Sequence, residues 1–323
     1  MQEFSIIEQY FKNQTQPRRD VLIGVGDDCA ITAIPPNHVL ATTTDTLVSG
    51  VHFLPDTAPA DIAQKALAVN LSDLAAVGAT PAWINLALTL PSTNEEWLAD
   101  FSDAFARMCE YYGVNLIGGD TTRGPLSITL TAQGFVPAES VATRSGAQPG
   151  DYIYVTGTLG DAGAGLAVLK GELSGAEHAV QYAVARHLNP TPRVLAGTSL
   201  RRKITSCIDI SDGLIGDLKH ILTASSVGAV VRVEDLPLSP AMTELVSLEH
   251  AYELALGAGD DYELLFTINE AHLDEVLTEL HSVSIAVTCI GQITGQKGLE
   301  LKLHNQAYLT QTHSYQHEIP LDE

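Results

Sequence analysis

Basic residues are scarce in this chain. Its 323 residues include 17 Lys and Arg against 39 Asp and Glu, a formal charge of −22. That balance disfavours a surface that grips the phosphate backbone of nucleic acid or an anionic membrane. A phosphate compound bound by such a chain needs positive charge from elsewhere, and divalent cations are the obvious source. Aromatic residues are also few, at 6%, which argues against a stacking platform for single-stranded nucleic acid. The four cysteines, Cys29, Cys109, Cys207 and Cys289, lie far apart and form no C-x-x-C pair. Neither a disulfide framework nor a zinc site is expected, and a reducing cytoplasm is. No run of about 18 apolar residues is free of charges or polar breaks, so no membrane span is expected. The N-terminal MQEFSIIEQYFKNQ carries Glu3 and Glu8 and no long apolar core, unlike a signal peptide.

Several catalytic signatures are missing too. There is no G-x-x-x-x-G-K-[ST], no protein-kinase motif set and no G-x-S-x-G, and none of the eleven histidines forms H-E-x-x-H. GTLGDAGAG (157 to 165) follows a strand pattern and opens a helical one. Its spacing is not G-x-G-x-x-G, and no acidic residue caps a second strand about 20 residues on. A tight strand-to-helix turn accounts for it better than a dinucleotide site.

What is present is a globular chain, 45% hydrophobic, long enough for two domains. Helical spacing marks 4 to 12, 60 to 78 and 94 to 112, the last ended by Gly113. Strand patterns mark RRDVLIGVGDDCAIT, a run ending in a Gly/Asp turn, and HVLATTTDTLV, WINLALTLP, VNLIGGDTT and LSITLTAQGFV. RSGAQPGD (144 to 151) has turn chemistry and little apolar content, so we place a boundary there, with domains at 1–145 and 146–323. The second half restarts with a strand, a Gly-rich turn and a helix over YIYVTGTLGDAGAGLAVLKG. Helices follow near 176 to 187, 191 to 200 and 213 to 227, with strands at VGAVVRVE, YELLFTIN and VTCIGQIT. Grouped strands with helices between them indicate an α+β chain of two domains.

Aspartates recur at turns and strand ends beside Gly or Thr: GVGDDCA (Asp27, Asp28), TTTDT (Asp45), NLSDL (Asp73), IGGDTT (Asp120) and DISDGL (Asp209, Asp212). Carboxylates beside hydroxyls and open carbonyls suit hard, oxygen-seeking cations, and glycine lets a backbone approach a phosphate closely. Each motif also has a plain reading. G-D-D is a common turn, and Ser211–Asp212–Gly213 could simply cap the next helix. Asp73 is the hardest to explain that way. On a helix it shares a face with Ala66, Asn70 and Val77 among apolar neighbours. An unpaired buried carboxylate is costly, so it must be neutralised or coordinated. A local helix cap and metal coordination both remain open on these grounds.

Taken in order, EFSIIEQYF, GVGDDCA, TTTDTLVSGVHF, NLSDLAAVGATP, LIGGDTTRGPLSITL, TRSGAQPGDYIYVTGTLGDAGAGLA, HLNPTPR and DISDGLIGDL closely resemble the thiamine-monophosphate kinases. The wider superfamily is that of aminoimidazole-ribonucleotide-synthetase-like proteins. The resemblance covers nearly the whole chain and is weakest at 230 to 256 and after 295. It implies a two-domain α+β fold of that superfamily, with an N-terminal mixed sheet that pairs across a homodimer and a C-terminal α/β domain. It also implies ATP- and Mg²⁺-dependent phosphorylation of thiamine monophosphate to thiamine diphosphate, the last step of that cofactor's synthesis.

Position by position, the resemblance assigns Asp28, Thr43, Thr44, Asp45, Asp73, Asp120, Asp209 and Asp212 to several magnesium ions. It assigns Gly119, Asp120, Arg144 and Ser211 to ATP, and His52, Asp260 and Tyr315 to the acceptor. No side chain is required as a general base. Two departures fall on the acceptor side. GAGDDYEL stands where the family has GGEDYEL, so Asp260 replaces a glutamate, and SYQHE replaces a GYDHF-like tail in which Tyr315 keeps the aromatic ring.

Overall fold

A computed structural model describes residues 2–12 and 17–312. The chain divides into two compact units, Met1–Val141 and Ala142–Glu323.

The first unit opens with one helical run. Its first turn is α1 (Glu3–Ile6), and Ile7–Phe11 continue with wider i→i+5 turns, closed by the Lys12 N–H on the Ile7 carbonyl at 2.9 Å. Ile6, Tyr10 and Phe11 are its buried face. A small antiparallel ribbon follows, β1 (Val21–Ile23) with β2 (Ile31–Thr32). Next come β3 (His38–Val48), α2 (Pro59–Ala76), β4 (Thr80–Leu90), α3 (Glu95–Tyr112), β5 (Asn115–Arg123) and β6 (Ser127–Pro137). The four longer strands form one mixed sheet in the order β3-β6-β4-β5. Only β4 and β5 run parallel.

The two long helices of this unit start on recognisable signals. Pro59 occupies the first turn of α2, where a missing N–H costs nothing. Asn94 caps α3 by accepting the N–H groups of Glu96 and Trp97, and Gly113 ends it in the left-handed region at φ 65°. α2 is buried over most of its circumference, Ala63, Ala66, Leu67, Leu71 and Ala75 being fully enclosed. Strand β3 alternates, as a half-covered strand must. Thr42, Thr44 and Thr46 are exposed, while Thr43, Asp45 and Leu47 turn the other way.

The second unit carries β7 (Tyr152–Thr156), α4 (Asp161–Leu169), α5 (Glu177–Leu188), α6 (Val194–Ser199), β8 (Ser206–Asp209), α7 (Leu214–Ser225) and β9 (Gly228–Arg232). α8 (Pro240–Leu245), α9 (Leu248–Gly257), β10 (Leu264–Ile268), α10 (Leu273–Ser282), β11 (Val287–Thr294), β12 (Gly298–Leu303) and β13 (Gln306–Ala307) complete it. Its sheet has the order β13-β12-β9-β11-β7-β10-β8, antiparallel except for β12 beside β9. Ile153, Val155, Ile208 and Leu265 from the sheet pack with Leu214, Leu218 and Ile221 of α7 in its main core. This is the α+β, mixed-sheet architecture expected from the sequence.

A buried ion cluster lies beside that core. Glu263, with no exposed surface, accepts both Nε and Nη2 of Arg193 at 2.5 Å, Nη2 of Arg186 at 2.9 Å and the Thr156 hydroxyl at 2.6 Å. Next to it Asp261 accepts the Gly160 N–H at 2.7 Å, and Asp161 accepts the hydroxyls of Thr158 and Ser239, each at 2.5 Å. The charges of Glu263, Arg186 and Arg193 persist at this depth because they are paired and hydrogen-bonded.

Candidate functional site

In the first unit the structure brings together Thr43, Asp45 and Asp73. Thr43 and Asp45 are two apart on β3, so both point to the same side, toward Asp73 on α2. The Thr43 hydroxyl donates a short hydrogen bond to Asp73 Oδ2. Burial, and then the charge of Asp73, push the Asp45 carboxyl up to about 6 from its ordinary 3.8. Two carboxylates thus share a half-buried corner where like charge makes joint ionisation costly. Asp73 is therefore no simple helix cap: it sits inside α2, three residues before that helix ends at Ala76. Thr44 points to the opposite face, where its hydroxyl bonds that of Thr131 at 2.9 Å, so its side chain is not with Thr43 and Asp45.

Asp28, Gly119 and Asp120 meet elsewhere in the unit. They line a pocket of about 910 Å³ together with Asp27, Asn85, Gln133 and the apolar Phe4, Ile7 and Phe11 of the N-terminal helix. The loop is tied locally, the Asp28 N–H bonding Asp27 Oδ1 at 2.8 Å. Gly119 is required by strand packing, because a Cβ there would lie 1.9 Å from the Leu86 carbonyl oxygen of β4. That keeps Gly119 and Asp120 open at the sheet edge. His52, in the turn after β3, accepts the Val48 N–H on Nδ1 at 3.0 Å. The neutral ring therefore carries its proton on Nε2.

In the second unit Asp209 ends β8, and the chain turns through Ser211, Asp212 and Gly213 into α7. Asp217, one turn into α7, accepts the N–H groups of both Ser211 and Asp212 at 3.1 Å. Burial first, then the charge of Asp212, raise its carboxyl to about 7, against the pull of those N–H groups and of Arg144. Asp260 docks on the same turn. Its N–H bonds the Ser211 carbonyl at 2.8 Å, and its side chain accepts the Tyr262 hydroxyl at 3.0 Å and lies 3.5 Å from His187 Nδ1. Asp260 and Tyr262 both have positive φ, 60° and 50°, a conformation rare for residues with side chains and concentrated at functional turns. Arg144, Asp209, Ser211, Asp212 and Asp260 thus form a second group. Tyr315 lies outside the described residues.

Among the described residues, no three His, Cys, Asp or Glu side chains converge as a ready-made metal cage. The carboxylates stand as pairs and edges. That arrangement suits Mg²⁺, which keeps several waters and is held by one or two carboxylates plus substrate phosphates. Sequence reasoning missed Asp217, Arg186, Arg193 and Glu263. The one local signal was an acidic residue in the first turn of α7, able to reach back to the turn before it.

Residues 26–136 match the AIR synthase related protein, N-terminal domain, and residues 148–304 the AIR synthase related protein, C-terminal domain. The thiamine-monophosphate kinase of Escherichia coli (strain K12) is 54% identical over 293 residues, 90% of each chain. The crystal structure of thiamine-monophosphate kinase from Stenotrophomonas maltophilia K279a is 44% identical, covers 88% of this chain and 92% of its own, and superposes with a TM-score of 0.84. AaThiL, solved as a complex with AMPPCP and TMP, is 31% identical over 85% of this chain and 86% of its own, with a TM-score of 0.75.

Proposed function

The chain belongs to the thiamine-monophosphate kinase family of AIR-synthase-related proteins, and from that premise we propose that it transfers the γ-phosphoryl group of ATP in line to the phosphate of thiamine monophosphate, giving thiamine diphosphate. The observation that carries the proposal is the Asp45–Asp73 pair with Thr43 at its side. It places two carboxylates where their mutual repulsion calls for a cation.

The attacking oxygen belongs to a phosphate monoester that is already ionised near neutral pH, so no general base is needed. Catalysis then rests on positioning and charge neutralisation. The donor chemistry fits magnesium, being all carboxylate and hydroxyl oxygen. The residues that would hold several magnesium ions are Asp28, Thr43, Thr44, Asp45, Asp73 and Asp120 in the first unit, Thr44 by its backbone, and Asp209 and Asp212 in the second. When bound, magnesium offsets the repulsion between two phosphate-bearing substrates.

The protein's own groups orient the substrates. Gly119 and Asp120 present open backbone to the nucleotide at the edge of β5. Arg144 donates charge-assisted hydrogen bonds to phosphate oxygens, beside Ser211. His52 offers Nε2–H to the acceptor, on whose side Asp260 and Tyr315 also act. We assign a homodimer that pairs through the threonine-rich open face of the β3-β6-β4-β5 sheet, and a cytoplasmic location, in keeping with four free cysteines.

The test is direct. Purified protein given ATP, Mg²⁺ and thiamine monophosphate makes thiamine diphosphate in step with ADP. No thiamine diphosphate after many equivalents of enzyme turnover time would refute the proposal.

A further inference from the structure

Glu253 lies on α9, and a single carboxylate there gathers four donors from the last described stretch of chain. Its Oε1 accepts the Tyr308 hydroxyl at 2.6 Å. Its Oε2 accepts the Thr310 hydroxyl at 2.7 Å and the backbone N–H groups of Gln311 and Thr312, each at 3.0 Å. The Thr310 oxygen also accepts the Thr312 N–H at 3.1 Å. This stretch follows β13, and its last backbone bond to the sheet is Tyr308 N–H to the Leu301 carbonyl at 2.9 Å. Apolar packing does little for it past Tyr308, since Leu309 is 89% exposed. The carboxylate is what holds residues 309 to 312 down.

Where they are held is the informative part. The Thr312 side chain rests on Gly257, the last residue of α9, where a Cβ would fall 2.5 Å from its hydroxyl oxygen. A Cβ at Gly213, which has φ 104°, would lie 2.8 Å from the Gly257 carbonyl carbon. One at Gly259, at φ 68°, would lie 2.5 Å from the Ser211 carbonyl oxygen. Three glycines therefore bring the Thr312 side chain onto the end of α9, and the end of α9 into backbone contact with the Ser211–Asp212 turn, with Asp260 bonded to Ser211 in the same stack. A shift of residues 310 to 312 passes from Gly257 along the chain to Gly259 and Asp260, whereas the Ser211–Asp212 turn is held separately by Asp217 on α7.

We infer that Glu253 is a positioning residue: it clasps residues 308–312 against the end of α9 and so sets the geometry of the acceptor side of the site at Asp260. This rests on the phosphoryl-transfer reading above. None of the clasp's residues is among those assigned to ATP or magnesium, so its removal alters how the acceptor is held rather than how ATP is bound.

The experiment compares Glu253→Ala, Glu253→Gln and the unaltered full-length chain. Amide exchange by mass spectrometry and NMR follows Gln311 and Thr312, and steady-state kinetics follows each substrate separately. In Glu253→Ala, exchange at both amides rises by about a hundredfold as the local hold is lost. The KM for thiamine monophosphate rises about tenfold while the KM for ATP stays within about twofold, as misplacement of one substrate predicts. Glu253→Gln retains an acceptor oxygen and restores most of both readouts. Unchanged exchange in Glu253→Ala overturns the clasp. Raised exchange with an unchanged acceptor KM, or with both KM values raised together, overturns the positioning role. Absence of thiamine diphosphate synthesis by the unaltered protein counts against the proposed function, and the exchange measurement then still decides whether the clasp exists.

Discussion

Thr43 on strand β3 donates its hydroxyl to the Asp73 carboxylate on helix α2, joining sheet and helix at the corner that Asp73 shares with Asp45. The bond explains how a carboxylate is tolerated within so apolar a helix: one oxygen is satisfied, and the pair it makes with Asp45 faces the site.

Asp73→Asn keeps the shape and the Thr43 hydrogen bond while removing the charge. We expect the fold to survive, with an unfolding midpoint equal to or above that of the parent because repulsion with Asp45 is relieved. We expect kcat/KM to fall by at least about a hundredfold, the scale on which loss of a metal-holding carboxylate acts. Turnover measured across a magnesium titration is the check. Parent-like rates at low magnesium would show that Asp73 holds no ion.

Gly119→Ala puts a methyl 1.9 Å from the Leu86 carbonyl oxygen. The two strands must part at the point where the open backbone lines the pocket. We expect a loss of at least about 2 kcal/mol of stability, typical of forced overpacking, and weakened ATP binding by calorimetry. Parent-like stability would mean that β4 and β5 are not held as close as described.

Glu263→Gln leaves Arg186 and Arg193 facing a neutral partner with no exposed surface. Breaking one side of a buried ionic cluster costs about 3–5 kcal/mol. We expect urea unfolding to show a drop of that order, and the double variant with Arg193→Met to recover part of it. A drop under about 1 kcal/mol would place Glu263 among ordinary exposed ion pairs.

Asp261 supplies a pH signature away from the metal-holding positions. Burial raises its carboxyl from 3.8 to about 8, against the pull of the Gly160 N–H and Arg186. The folded chain therefore keeps a proton that the unfolded chain has given up. Its contribution to stability is whole below 3.8 and is lost as pH rises toward about 8. Asp261→Asn should remove that slope and still accept the Gly160 N–H. Relative to the parent, the variant should gain stability between pH 5 and pH 8, by at most a few kcal/mol in chemical unfolding. Parallel pH profiles for the two would show that Asp261 is ionised throughout.

Much of the fold was legible because its signals are local. The alternation of HVLATTTDTLV, the apolar run ending at NLSDLAAVGATP and the glycine stop at Gly113 each depend on neighbours a few residues away. The same holds for the site's carboxylates, which announced themselves by sitting beside Gly and Thr. The side to which each points was less legible. TTTDT reads as three adjacent hydroxyls, yet the pleat sends Thr44 to the far face of the sheet from Thr43 and Asp45. The ion cluster was not legible at all: Glu263 meets Arg186 and Arg193 across 77 and 70 residues of sequence, and nothing near any of the three foretells the meeting. The helices α8 and α9 are short, whereas α10 carries Leu273, Val276, Leu277 and Leu280 at helical spacing, a signal the sequence reading passed over.

Strand β3 has a further consequence for how this chain can change over time. Its even-numbered threonines face away from the corner and its odd-numbered Thr43 and Asp45 face into it, so chemistry here depends on parity. Losing or gaining one residue between His38 and Asp45 would let the ladder with β6 re-form and the sheet survive, yet it would deliver a threonine where the carboxylate belongs and the carboxylate to the outer face. A length change of two there would keep the carboxylate on its face but carry it about 7 Å along the strand, and a lineage in which this strand had slipped by one would keep the fold and lose the enzyme.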